Sequence, residues 1–215
     1  MSRAELLDND HDHSHGLVHE SIKRSRRGVR AVALSLLVLG LTAGVQAVFL
    51  VLSGSVALLA DMIHNFGDAL TAVPLGIAFL MRSARAERLA GLAVVAAIFV
   101  SACVAAFEAV HRLISPSRPT HLLVLAVAGV VGFAGNWLAA QIRTRAGRHL
   151  DSPALIADGA HARADAYVSL AVIASAVVVA LGLTVGDPLI GLAITVVILR
   201  ITWQSWRTVA RAGRH

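Results

Sequence analysis

The chain has 215 residues, 57% of them hydrophobic, and only 15% are charged, against about a quarter in soluble domains. With a mean hydropathy of +0.73, this excludes an ordinary soluble domain and fits a polytopic membrane protein. The net charge of +6 does not point to nucleic acid, because Arg and Lys gather at the borders of apolar runs and not along one helix face.

In chain order, residues 1–27 form a polar cytoplasmic arm holding His11, His13, His15 and His19 beside Asp10 and Asp12. Its composition predicts disorder. Its histidines suit weak capture of metal ions, chiefly at His11, His13 and His15; a solvated tail without effect is the alternative. The first apolar run starts after this arm and is too long and too late for a signal peptide.

Residues 28–207 hold six apolar runs, over 31–52, 56–80, 88–113, 121–142, 154–182 and 188–207. Each is long enough to cross a bilayer as a helix, which needs about 20 residues. The joints LSGS, RSARAE, SPSRPT, RTRAGRHLDS and LTVGD carry turn chemistry. Residues 208–215 form a short basic tail. Arginines crowd the arm, the second and fourth joints and the tail, and the other joints show only Arg112 and Arg118. The positive-inside rule therefore predicts cytoplasmic termini. Cys103 lies within an apolar run and reads as a small buried hydrophobe.

Two of the runs carry groups that a bilayer penalises. ALLADMIHNFGDAL, residues 57–70, holds Asp61, His64 and Asp68; ALIADGAHARADAY, residues 154–167, holds Asp158, His161 and Asp165. The stretches are offset by 97 residues and share seven of fourteen positions, including every polar member of D-x-x-H-x-x-x-D. Each lies in the second helix of a three-helix half. Three is odd, so the halves run in opposite directions, the inverted-repeat plan of many secondary transporters.

Offsets of 0, +3 and +7 put the three side chains of each motif on one helix face. An isolated charge there costs several kcal/mol. Two such helices facing each other around a dication would offset that cost, with two carboxylates balancing its charge and two imidazoles adding nitrogen donors. His64, Asp68, His161 and Asp165 then make a two-His, two-Asp shell. Four mixed donors suit tetrahedral Zn²⁺ better than Mg²⁺ or Ca²⁺, leaving Cd²⁺, Co²⁺, Fe²⁺ and Mn²⁺ open. Asp61 and Asp158, one turn from the histidines, either orient the imidazoles or line an access path. Helix packing through a His–Asp pair within each helix is the alternative. Gln46 and Asn136 are expected to hydrogen-bond across helices, Arg163 to reach cytoplasmic water or an interfacial acid, and Glu108 and His111 to sit at the interface.

At these residues the sequence resembles the cation diffusion facilitator family. SVALLADMIHNFGDAL resembles that family's second helix, ADGAHARAD its fifth, AERLAG and FEAVHRLISP the start and end of its third, and GDPLIGL the start of its sixth. The resemblance implies an all-α membrane bundle of the first, second, fourth and fifth helices, with the third and sixth packed beside it. It implies export of Zn²⁺ or related metals from the cytoplasm in exchange for protons, with His in both ligand helices as in zinc-preferring members. A bacterial inner membrane, no enzymatic activity and no organic cofactor are expected. The family pattern continues into a soluble cytoplasmic domain that aids dimerisation. This sequence ends at His215 before such a domain, so dimer contacts through it are not carried over, and a homodimer is left open.

Metal binding needs deprotonated carboxylates and neutral imidazoles, so protons and metal compete for the same atoms. An unperturbed His titrates near pH 6.5, which suits an alternating-access antiporter. A channel, a non-transporting membrane protein that holds metal, and an intramembrane hydrolase are the rival readings. Four strong ligands argue against the channel, and a closed four-ligand shell leaves no position for the hydrolase's water.

Overall fold

The structure is a computed structural model that describes the backbone of residues 12–53, 72–115, 122–183 and 185–211, and nearly all of their side chains from residue 24 onward. Every regular element in these residues is α-helical: α1 (Asp12–Ser53), α2 (Ala72–Met81), α3 (Ala84–Ile114), α4 (Leu122–His149), α5 (Pro153–Ala180) and α6 (Gly186–Arg211). Five of the six are long and apolar enough to cross a membrane, α2 being only ten residues. The five long helices span the first, third, fourth, fifth and sixth predicted runs, and α2 covers the end of the second. The rest of that run, with Asp61, His64 and Asp68, lies outside the described residues.

Two helix boundaries differ from expectation. Residues 12–27 are helical and continuous with α1, which corrects the prediction of a disordered arm for that part; His11 lies outside the described residues. No proline interrupts this stretch, so nothing in it breaks the helix that the apolar run propagates upstream. At the turn of the α4–α5 hairpin, α4 continues seven residues past the predicted 142, to His149. The basic segment RTRAGRH reads as a joint by composition, but its three arginines and Ala146 are good helix formers, and packing holds the rest, with Arg143, Thr144 and Gly147 buried against α5.

Two tight turns close the basic end of the molecule in the same manner. Arg82 (φ 51°) follows α2 and Asp151 (φ 44°) follows α4. Each precedes a serine that caps the next helix: Ser83 Oγ accepts from Ala86 N–H, and Ser152 Oγ accepts from Leu155 N–H, both at 3.2 Å. Pro153 follows at the first position of α5, where its missing N–H costs nothing.

α4 and α5 make the most extensive packing in the molecule; α1 packs on α4, α2 joins α1 to α3, and α3 and α6 pair with each other and against α5. Among the described residues the third and sixth helices pack beside the first, fourth and fifth as expected; most of the second helix of the expected bundle lies outside the described residues. Lipid is as apolar as leucine, so close backbone approach drives packing here more than burial of large side chains. The α4–α5 seam is accordingly rich in small residues: Gly129 and Gly132 meet Ser169, Ala139 and Ala140 cluster with Ala162, Gly147 meets Ile156, and Gly159 meets Thr144 and Ala140. Large apolar residues such as Leu41, Phe107, Leu123 and Val196 face outward. Cys103 is exposed as well, which corrects its reading as a buried residue. Trp203 and Trp206 are also exposed, as an interfacial belt requires.

Candidate metal site and its buried charges

α5 carries His161 and Asp165 eight and twelve residues from its start. At 1.5 Å rise per residue these are about 12 and 18 Å along a helix of about 42 Å, well inside both of its ends. His161 is fully buried and Asp165 is 6% exposed. Nδ1 of His161 lies 3.8 Å from Oδ1 of Asp165, the separation that an i, i+4 pair on one face produces. A nitrogen and an oxygen at this distance can both reach one cation at ~2.0–2.2 Å.

These two residues are the α5 half of the predicted shell. The other half, His64 and Asp68, lies outside the described residues, as does Asp61. Among the described residues no three His, Cys, Asp or Glu side chains converge as a metal shell, so Asp158, His161 and Asp165 do not make one by themselves.

Asp158, also fully buried, has a partner that the sequence reading did not name. Its Oδ1 accepts from Nη1 of Arg143 on α4 at 3.2 Å. Arg143 is 1% exposed, and its Nε donates to Ser35 Oγ on α1 at 2.8 Å. By composition Arg143 falls in a joint, as a topology signal; it is instead an interior residue of α4. A signal existed. Arg143 and Asp158 are equidistant from the turn at Leu150–Asp151, and residues so placed face each other across an antiparallel helical hairpin. The joint read from composition is too long and hides that register.

Three more ion pairs involve fragments that carried the family resemblance. Glu87, in AERLAG, takes both terminal nitrogens of Arg24 on α1, at 3.0 and 3.1 Å. Arg24 Nε donates to the Leu150 carbonyl at 3.0 Å, and the guanidinium sits 5.8 Å above the Phe79 ring. At the opposite end, Arg112 of FEAVHRLISP donates from Nη1 to Asp187 of GDPLIGL at 3.0 Å and from Nε to Glu108 at 2.8 Å. His111 stacks on Phe107. Glu108 is half exposed, in keeping with its interfacial placement.

The remaining polar groups resolve similarly. Gln46 Nε2 donates across to the Ala128 carbonyl at 3.4 Å, the expected link between helices. Asn136 is buried. Arg163, expected to reach water or an acid, is partly buried, and its Nη2 lies 3.4 Å from Thr144 Oγ1 on α4.

A fold of membrane-length helices that turn buried carboxylates, an imidazole and a guanidinium inward defines a multi-pass membrane protein with an interior polar site. Residues 32–212 match the cation efflux transmembrane domain, and the chain belongs to that family. It is 49% identical over 213 residues to a Mycobacterium tuberculosis H37Rv protein named "probable cation efflux system protein", covering 93% of this chain and 64% of that one. It is 33% identical over 179 residues to an uncharacterized transporter of Synechocystis, covering 77% of this chain and 56% of the relative. It is 30% identical over 168 residues to the zinc transporter ZitB of Yersinia pestis, covering 71% of this chain and 52% of ZitB. The chain thus spans less than two thirds of the length of these relatives.

Proposed function

We propose that this chain is the membrane domain of a divalent-cation efflux carrier, that its preferred substrate is Zn²⁺, and that protons are the counter-substrate. The observation that carries the reading is the His161–Asp165 pair, buried and 3.8 Å apart well inside the ends of a transmembrane helix. A carboxylate in that position is expensive unless a positive charge visits it. His64 and Asp68 complete the shell in this proposal, since they repeat the same spacing 97 residues earlier. The name of ZitB supports zinc over the other soft divalent ions, and the two-nitrogen, two-oxygen donor set suits it.

The mechanism follows from the donors. Metal binds when the carboxylates are ionised and the imidazoles neutral; protons entering from the far side take the same atoms and release it. Rocking of the bundle around a fixed midplane site exposes the shell to each side in turn.

The deciding experiment is Zn²⁺ flux into proteoliposomes under a set pH gradient. His161→Ala and Asp165→Ala are expected to lower flux by at least the ~10–100-fold that loss of an outer hydrogen-bonded partner costs at metal sites. Flux at the normal rate in either variant rules the reading out. A panel with Cd²⁺, Co²⁺, Fe²⁺ and Mn²⁺ ranks the metals.

A further inference from the structure

We infer that Arg143 is a positioning residue of this carrier: it holds Asp158 as its counter-ion and ties α1 to the α4–α5 hairpin one turn from His161, so that Asp158 is a charge partner and not a metal ligand. The inference rests on the metal-site reading above and deepens it.

Four carboxylates are buried among the described residues: Glu87, Asp158, Asp165 and Asp187. Glu87 pairs with Arg24, Asp187 with Arg112 and Asp158 with Arg143. Asp165 is the one set against an imidazole. The buried acids therefore sort into three that neutralise a guanidinium within a helix interface and one that stands beside a nitrogen donor.

Arginine cannot shed its proton in a protein. At 1% exposure, the Arg143 cation has to be balanced by an anion within its own contact shell. If Asp158 coordinated a dication at ~2 Å, the metal would stand within about 5 Å of that guanidinium and be repelled by it in a poorly screened interior. The same carboxylate cannot serve both cations well.

The geometry also gives the guanidinium a mechanical part. Its Nη1 reaches α5, its Nε reaches Ser35 on α1, and its stem belongs to α4. Ser35 is fully buried and passes its own proton to the Val32 carbonyl at 2.8 Å, so it presents a lone pair to Arg143. Three helices thus meet at one planar fork, a geometry that lysine does not reproduce. Rocking of the bundle requires α1 to move with the hairpin that carries His161 and Asp165.

Calorimetric titration of the purified chain with Zn²⁺ tests the charge assignment. The double variant Arg143→Gln/Asp158→Asn removes both charges at once. It is expected to bind the same number of ions per chain, with affinity within about threefold of wild type. Loss of a bound ion, or affinity weaker by about tenfold or more, overturns the assignment and makes Asp158 a ligand.

Flux kinetics test the positioning role with two milder variants, Arg143→Lys and Ser35→Ala. Each is expected to keep the KM for Zn²⁺ and to lower the turnover rate by about fivefold or more. Wild-type turnover in both variants overturns the positioning role. These variants also keep the question open to test if the double variant does not fold. His161→Ala in the same titration separates the two proposals: if it binds Zn²⁺ as wild type does, the metal-site reading fails, and the Arg143–Asp158 coupling is still measured by a double-mutant cycle of thermal stability.

Discussion

At Arg143 and Arg24 the same side chain has different energetic consequences because of where each lies. Arg143 and Asp158 are 1% and 0% exposed, so removing one partner leaves an uncompensated charge in the interior. Arg143→Met is therefore expected to destabilise the protein by about 3–5 kcal/mol, with Arg143→Met/Asp158→Leu recovering most of the loss. Arg24 is 41% exposed, and water screens its pair with Glu87, so Arg24→Met is expected to cost less than Arg143→Met, though more than the ~1 kcal/mol of a surface pair because it strands the buried Glu87. Thermal unfolding in detergent compares the two. His161 and Asp165 were legible as candidate ligands because they are costly groups within an apolar run. Arg143 was not, because an arginine beside a turn resembles a topology signal until its helix is known to continue.

Among the elements, the α4–α5 hairpin depends on small residues and on one cap. A Cβ added to Gly159 would stand 2.9 Å from the backbone nitrogen of Thr144 and 3.2 Å from the Ala140 carbonyl oxygen, neither of which can yield without parting the helices. Gly159→Ala is expected to cost about 1–3 kcal/mol, as overpacking does. Gly40, on the exposed face of α1, has nothing within 4 Å. Gly40→Ala is therefore expected to stabilise by up to about 1 kcal/mol through helix propensity alone. Ser152→Ala removes the cap at the start of α5 and is expected to cost about 1 kcal/mol. Of these features, the Ser152–Pro153 start was readable as turn chemistry. The roles of Gly159 and Gly40 were not, since identical residues differ only in what the neighbouring helix brings against them.

For the whole molecule, the energetics are those of a protein solvated by lipid. Leu37, Leu41, Phe107 and Leu123 are all more than half exposed, and they are satisfied by acyl chains and not by a core. The charged interior is where conditions act. Under the proposed function, protons compete with Zn²⁺ for the carboxylate and imidazole donors, so apparent Zn²⁺ affinity is expected to fall steadily as the pH of a binding assay is lowered. Affinity independent of pH between 5 and 8 would exclude proton coupling at these donors.

The sequence alone determined the membrane class, the helical runs and the D-x-x-H-x-x-x-D spacing that places His161 with Asp165. Hydropathy and the 3.6-residue period are local properties, complete within each segment. Only the tertiary structure decided that Arg143 belongs to Asp158 and Ser35, Arg112 to Asp187, and Arg24 to Glu87. Such pairings depend on where one helix ends and how far its neighbour is rotated and shifted against it. That is a relation between segments that no single segment encodes.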